Sequence, residues 1–189
     1  MKKAMEKAMK DSKKNELKIA WGVTGAGHFL PSCLELALNC GKVEFFLSAA
    51  GAEVVNYYGL GPRLRESGHS VVKDSSASSL SVTKLYTGSY GLVVIAPVTG
   101  NSIAKMAHGI ADNLITNLFA HAGKNRIPTV LLPCDTGREL TSFTPQGEEV
   151  PVYIRTIDRQ NSDILAAWEG VTIVSNPEQL KNCLQKWQA

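Results

Sequence analysis

The chain has 189 residues, 44% of them hydrophobic and 20% charged, a composition that suits one globular domain with a continuous core. Its net charge of +3 comes from residues 1–18, where seven lysines face Glu6, Asp11 and Glu16, so the rest is close to neutral and makes no overall-charge case for nucleic-acid binding. No apolar run approaches the roughly 20 residues of a membrane span, and Cys33, Cys40, Cys134 and Cys183 lack both C-x-x-C spacing and histidine partners, which argues against a metal site and for a reduced, cytoplasmic protein.

Residues 1–16 carry Ala4, Met5, Ala8 and Met9 at helical spacing. They lack the apolar core of a secretory signal and the arginine of a transit peptide, and read as a basic arm, disordered or helical, ahead of a single domain over 17–189. A first strand is expected over 17–23, closed by the turn Thr24-Gly25-Ala26-Gly27. A helix follows from about Pro31, with Leu30, Leu34, Ala37 and Leu38 on one face and Gly41 to stop it. Strand two covers 43–47 and ends at Ser48, and a helix over 51–58 is broken by Gly59 and Gly61.

The pattern weakens from 62 to 90, with a short edge strand over 71–73 and a serine-rich loop over 74–81. The apolar run over 92–96 reads as a buried parallel strand, and the polar turn after it opens two helical pieces, about 102–108 and 112–122. Strand five covers 127–133. A β-hairpin is expected over 138–157, around Pro145-Gln146-Gly147. A helix over 163–168, a strand over 171–174 and a helix over 177–187 complete the chain.

This alternation predicts an α/β fold, a Rossmann-like (flavodoxin-like) doubly wound parallel sheet in three α/β/α layers with a hairpin insertion. In the order 3-2-1-4-5, strands one and four lie side by side and their connections leave in opposite directions. Open α/β sheets bind ligands at that reversal. The turns after strands one and four face each other there, each offering free backbone N–H groups and hydroxyls, which is the chemistry of an anion pocket.

The candidate residues have plainer readings beside the functional ones. The turn Thr24–Gly27 falls short of G-x-G-x-x-G, and Ser48 stands where a dinucleotide fold places an acid. This favours a mononucleotide, whose phosphate accepts bonds from hydroxyls and amides. Asn101 and Ser102 either cap a helix or hold the ligand, and Lys105 either meets a phosphate or is solvated. His28 is a pocket-facing acid or merely hydrogen-bonded. Cys134 and Asp135 border the ligand at the end of strand five, unless Asp135 only turns the chain.

The run Pro97-Val98-Thr99-Gly100-Asn101-Ser102 with Gly109-Ile110-Ala111-Asp112-Asn113-Leu114 resembles the Pro-x-Ser-Ala-Asn-Thr and Gly-x-x-Asp-Asn-Leu motifs of a flavoprotein family. That family holds FMN-dependent cysteine decarboxylases and flavin prenyltransferases. The resemblance covers roughly residues 17–136 and implies FMN at a subunit interface of a homo-oligomer, a trimer or larger cage. The phosphate would then lie among Gly25, Ala26, Gly27, Ser48, Thr99, Gly100, Asn101 and Ser102, and the ring toward Pro133–Thr136 and a neighbouring chain, with Thr24, Lys105 and Cys134 as further candidate cofactor-binding residues.

Where the decarboxylases carry a histidine before strand four, this chain reads Val82-Thr83-Lys84. Where they carry Pro-x-Met-Asn, it reads Pro133-Cys134-Asp135-Thr136. The strand-five end, the opening 19–27 and the hairpin look closer to the dihydromethanopterin reductase (acceptor) and archaeoflavoprotein branch. That branch implies an FMN-dependent oxidoreductase that reduces a pterin, 7,8-dihydromethanopterin to the tetrahydro form, by hydride transfer from reduced FMN. Asp135 and His28 are the candidate catalytic residues, and the electron donor is unassigned. The alternatives are a flavodoxin-like electron carrier and a decarboxylase-type enzyme.

Overall fold

A computed structural model describes residues 17–75, 78–135, 137 and 139–188; the basic arm and Thr136 lie outside them. Six parallel strands form the central sheet in the order β3-β2-β1-β4-β5-β8. They are β1 Lys18–Val23, β2 Val43–Leu47, β3 Ser70–Lys73, β4 Tyr90–Val98, β5 Thr129–Pro133 and β8 Val171–Ile173. A separate antiparallel hairpin, β6 Glu139–Phe143 and β7 Glu149–Tyr153, is inserted after β5.

Strand alternation sorts the side chains onto two faces. Trp21, Phe45 and Val94 pack on one side beneath α1 (Leu30–Leu38), α2 (Ala49–Tyr57), α3 (Gly61–Glu66) and α8 (Pro177–Gln188). Ala20, Phe46 and Val93 pack on the other, beneath α5 (Gly100–Ala107), α6 (Leu114–Lys124) and α7 (Thr156–Ala166). A short helix α4 (Ser78–Val82) and a 3-10 turn over Thr83–Thr87 complete that second layer. Both faces are covered, which explains why β2 is buried throughout and β1 and β4 almost throughout. The expected doubly wound three-layer fold and its strand order are therefore present.

Several expected elements shift. α3 occupies residues read as broken by Gly61, because Pro62 suits the first turn of a helix. α4 lies in the segment read as loop. α5 begins at Gly100, with Thr99 rather than Asn101 as its cap. The helix expected over 163–168 is α7, which starts seven residues earlier. Its periodicity misleads because Asp158 and Asn161 are buried while Ile157 and Ile164 are exposed.

Glu44 is buried in β2 at the sheet's amino-terminal side, away from the ligand edge. Lys84 Nζ lies 2.8 Å from its Oε1, Lys18 Nζ 3.9 Å from its Oε2, and the Tyr90 hydroxyl donates to Oε2. Burial pushes the Glu44 carboxyl up, but the bonds from Lys84 and Tyr90 and the two lysine charges outweigh it and leave the pKa below 4.5. The stability this group contributes is thus complete above the unfolded carboxyl's value and is lost as pH falls through the lower native one. Glu44→Gln is expected to flatten the stability profile between about pH 5 and pH 3 in urea unfolding.

Candidate flavin-phosphate site

The carboxyl ends of β1, β2 and β4 bring three turns to the point where the sheet order reverses. β4 loses register with β5 between Ile95 and Val98, and around that shift the Ala96 and Pro97 carbonyls face β1 and the turn after it. Side chains and backbone from β1 take both. Trp21 Nε1 donates to Ala96 O at 2.9 Å, and the buried Thr24 hydroxyl donates to Pro97 O at 3.0 Å. The same Thr24 oxygen accepts the Thr99 N–H at 3.0 Å, so Thr24 ties the first and third turns together.

Each turn leads into a helix start. Ser48 caps α2 by accepting from Gly51 N at 3.0 Å, and its N–H holds Val23 O at 3.1 Å. Thr99 caps α5 by accepting from Ser102 N at 3.3 Å, and it donates to Ser102 Oγ at 3.1 Å. Gly100 N donates to Asp135 Oδ2 at 2.9 Å. Against these, the N–H groups of Gly25, Ala26, Gly27, Ala49, Ala50 and Asn101 take no acceptor among the described residues. Six open amides on three converging turns, with the Ser48 and Ser102 hydroxyls beside them, form a donor set that fits a phosphate.

Close packing fixes the turns. A Cβ on Gly25 would stand 2.8 Å from Ala50 Cβ, so the first and second turns approach as closely as they do only because residue 25 has no side chain. Phe29, the cap of α1, sits at φ 65, and its ring contacts His28 with centroids 3.8 Å apart. Burial pushes the His28 pKa below its ordinary 6.5 against an opposing pull from Asp135, so the imidazole is neutral at pH 7.

At the end of β5, Cys134 N holds Val98 O at 2.9 Å, which brings Cys134 and Asp135 beside the third turn. Burial, with the Asp135 charge and its hydrogen bond, pushes the Cys134 thiol up to about 12. It is a neutral thiol at pH 7, not a nucleophile. Lys105 reaches away along α5 to Asp112 Oδ2 at 2.6 Å. Asn113, with Thr116, forms a capping box on α6.

The structure thus gathers Thr24–Gly27, Ser48, Thr99–Ser102, Cys134 and Asp135 at one edge, with His28 in electrostatic reach of Asp135. Two participants were not legible in the sequence. Asp158 of α7 is 5% exposed, and Arg155 binds it through both nitrogens, Nε to Oδ2 at 2.8 Å and an Nη2 to Oδ1 at 2.7 Å. The i, i+3 spacing of an arginine and an aspartate was their only signal, and it is common on solvent-facing helices.

A cleft of about 400 Å³ adjoins Asp135, lined by Pro133, Thr156, Gln160, Asp163 and Ile173 among others. A second cleft, of about 320 Å³ between Phe119, Arg126 and Trp168, opens at the amino-terminal ends of β5 and β8, where none of the three turns lies. Among the described residues no group of three His, Cys, Asp or Glu is placed to hold a metal. No helix among them is long and apolar enough to cross a membrane.

The chain is 26% identical to the dihydromethanopterin reductase (acceptor) of Methanosarcina mazei, over 86% of this chain and 97% of that one. It is 41% identical to the crystal structure of Burkholderia xenovorans DmrB in complex with FMN, a cubic protein cage for redox transfer. That match has a TM-score of 0.83 and covers 90% of this chain and 94% of DmrB. An FMN-dependent cysteine decarboxylase from thioviridamide biosynthesis, at 20% identity and a TM-score of 0.63 over 92% of this chain and 98% of its own, shares the fold. The profile of the Flavoprotein family matches residues 7–188, and the chain belongs to that family.

Proposed function

We propose that the protein is an FMN-dependent oxidoreductase that reduces a pterin, with 7,8-dihydromethanopterin as the substrate and its tetrahydro form as the product. The observation that carries this reading is the set of six open amides on the turns after β1, β2 and β4. In it, Gly25–Gly27, Ala49, Ala50, Asn101 and the Ser48 and Ser102 hydroxyls hold the FMN phosphate, while Thr24 and Thr99 hold the turns. Gly100 supports the site by binding Asp135, and Lys105 adds positive charge from its anchored position on Asp112. Cys134 borders the ring as a neutral thiol.

Bound at these residues, reduced FMN would supply the hydride that the imine carbon of the pterin takes up. The chain seats the substrate in the cleft beside Asp135, whose Gln160, Asp163 and Thr156 side chains suit a heteroaromatic ring with both donors and acceptors. His28, in the field of Asp135, and Asp135 itself hold and pass the proton that the imine nitrogen takes up. The exposed Phe143 and Tyr153 of the hairpin supply an apolar surface for a homo-oligomer with FMN at its interface, a trimer or a cage like that of DmrB.

Stopped-flow oxidation of the FMN-loaded, reduced protein by added 7,8-dihydromethanopterin tests the reaction. Acceleration well above the rate without pterin is expected, and Asp135→Asn is expected to lower it by about 10²-fold or more. No acceleration would make the protein an electron carrier, and an unchanged Asp135→Asn rate would remove Asp135 from the chemistry.

A further inference from the structure

The first turn of α5 is crowded by negative charge. An ideal Cβ on Gly100 would stand 2.7 Å from Asp135 Oδ2 and 2.8 Å from Asp158 Oδ1, so two carboxylates converge on the one helix position that lacks a side chain. Asp135 accepts the Gly100 N–H. Asp158 is buried, and its ion-pair partner is Arg155, whose own side chain is 72% exposed. The guanidinium feels both acids, since its pKa is raised by Asp158 and also by Asp135. The flanking N–H of Asn101 and the Ser102 hydroxyl belong to the proposed phosphate grip.

Two anionic side chains next to a phosphate site oppose the ligand unless they are compensated. We propose that Arg155 is a positioning residue for the flavin site: paired with Asp158, it neutralises the second carboxylate and keeps Asp135 on the Gly100 amide, leaving the rest of the α5 turn for the phosphate of FMN. Gly100 is the matching element, because a side chain there would displace the two acids. The assignment rests on the proposed FMN site and concerns only how α7 tunes it. Electrons and protons are not involved; the effect is on binding.

The charge argument gives opposite signs for the two partners. Arg155→Ala leaves two uncompensated carboxylates and is expected to weaken FMN binding about tenfold, while riboflavin, which lacks the phosphate, changes by less than about twofold. Asp158→Asn removes one of the two carboxylates, leaves Arg155 to balance Asp135, and is expected to hold or raise FMN affinity. The double variant is expected to return within about twofold of the parent, and raising the salt should shrink the Arg155→Ala loss.

Fluorescence titrations of FMN and riboflavin on the full chain, with thermal unfolding in parallel, read all of these. Equal loss of FMN and riboflavin in Arg155→Ala, or no recovery in the double variant, would overturn the proposal in favour of simple support of α7. If Arg155→Ala does not fold, Arg155→Lys takes its place. Charge compensation predicts near-parental FMN binding there and stronger binding in Asp158→Asn, and weaker binding in both would overturn it. A parent chain that does not prefer FMN to riboflavin would instead overturn the flavin-phosphate reading on which the proposal rests.

Discussion

Ser102→Asp is expected to reduce FMN affinity by more than about a hundredfold, so that the variant purifies without a flavin spectrum. Ser102 lies in the first turn of α5, is 7% exposed, and its hydroxyl and N–H both meet Thr99 Oγ1. An aspartate there sets a carboxylate among the donors that the phosphate needs. It forfeits a charge-assisted bond worth about 1.5–3 kcal/mol and adds like-charge repulsion, and a loss of 2.7 kcal/mol or so corresponds to a hundredfold. A carboxylate at a helix start is well tolerated by the helix itself, so the fold should survive. Equilibrium dialysis against FMN, with circular dichroism as the fold control, measures the effect. Retained flavin in the variant would remove the α5 turn from the site.

Trp21→Ala is expected to cost about 3–5 kcal/mol of folding stability from the cavity alone. Trp21 is 0% exposed in the core between β1 and the α1, α2 and α8 layer. Its Nε1 also donates to the buried Ala96 carbonyl at 2.9 Å, beside the register shift of β4. Losing that hydrogen bond adds about 0.5–1.5 kcal/mol. Against a total of about 5–15 kcal/mol, the sum removes a large share of the stability, so the urea midpoint should fall steeply. Trp21→Phe keeps most of the volume and isolates the hydrogen bond, so its urea midpoint should fall between parent and Trp21→Ala. Because Ala96 precedes the proline whose carbonyl holds Thr24, both variants should regain stability when FMN is added.

These two residues show how far the sequence could be read. The parallel sheet was legible because the strands are dominated by apolar residues pointing to both faces, Glu44 of β2 aside, and the strand reversal followed from the crossover rule. The turns were legible because Gly25, Gly27, Thr99 and Ser102 are the residue types that open helices and expose amides. What they bond to was not. Thr24 has the appearance of a ligand hydroxyl in the sequence, yet its oxygen is spent on Pro97 and Thr99. Lys105 has the spacing of a phosphate contact, yet it is drawn to Asp112.

The least legible part is α7. Burial of Asp158 and Asn161 beside exposed Ile157 and Ile164 inverts the pattern from which helices are read, and only the fold, by packing α7 on the α5 start, gives Asp158 its place. The glycine at 100 is likewise uninformative alone. It gains meaning from the two carboxylates that fill the space of its missing side chain.

The measurement closest to the centre of the account is a paired titration of the apoprotein with FMN and with riboflavin. Six open amides and two hydroxyls aimed at a phosphate predict that FMN binds at least about a hundredfold more tightly than riboflavin, with the gap narrowing as salt is raised. Equal affinity for the two flavins, or no binding of either, would contradict it.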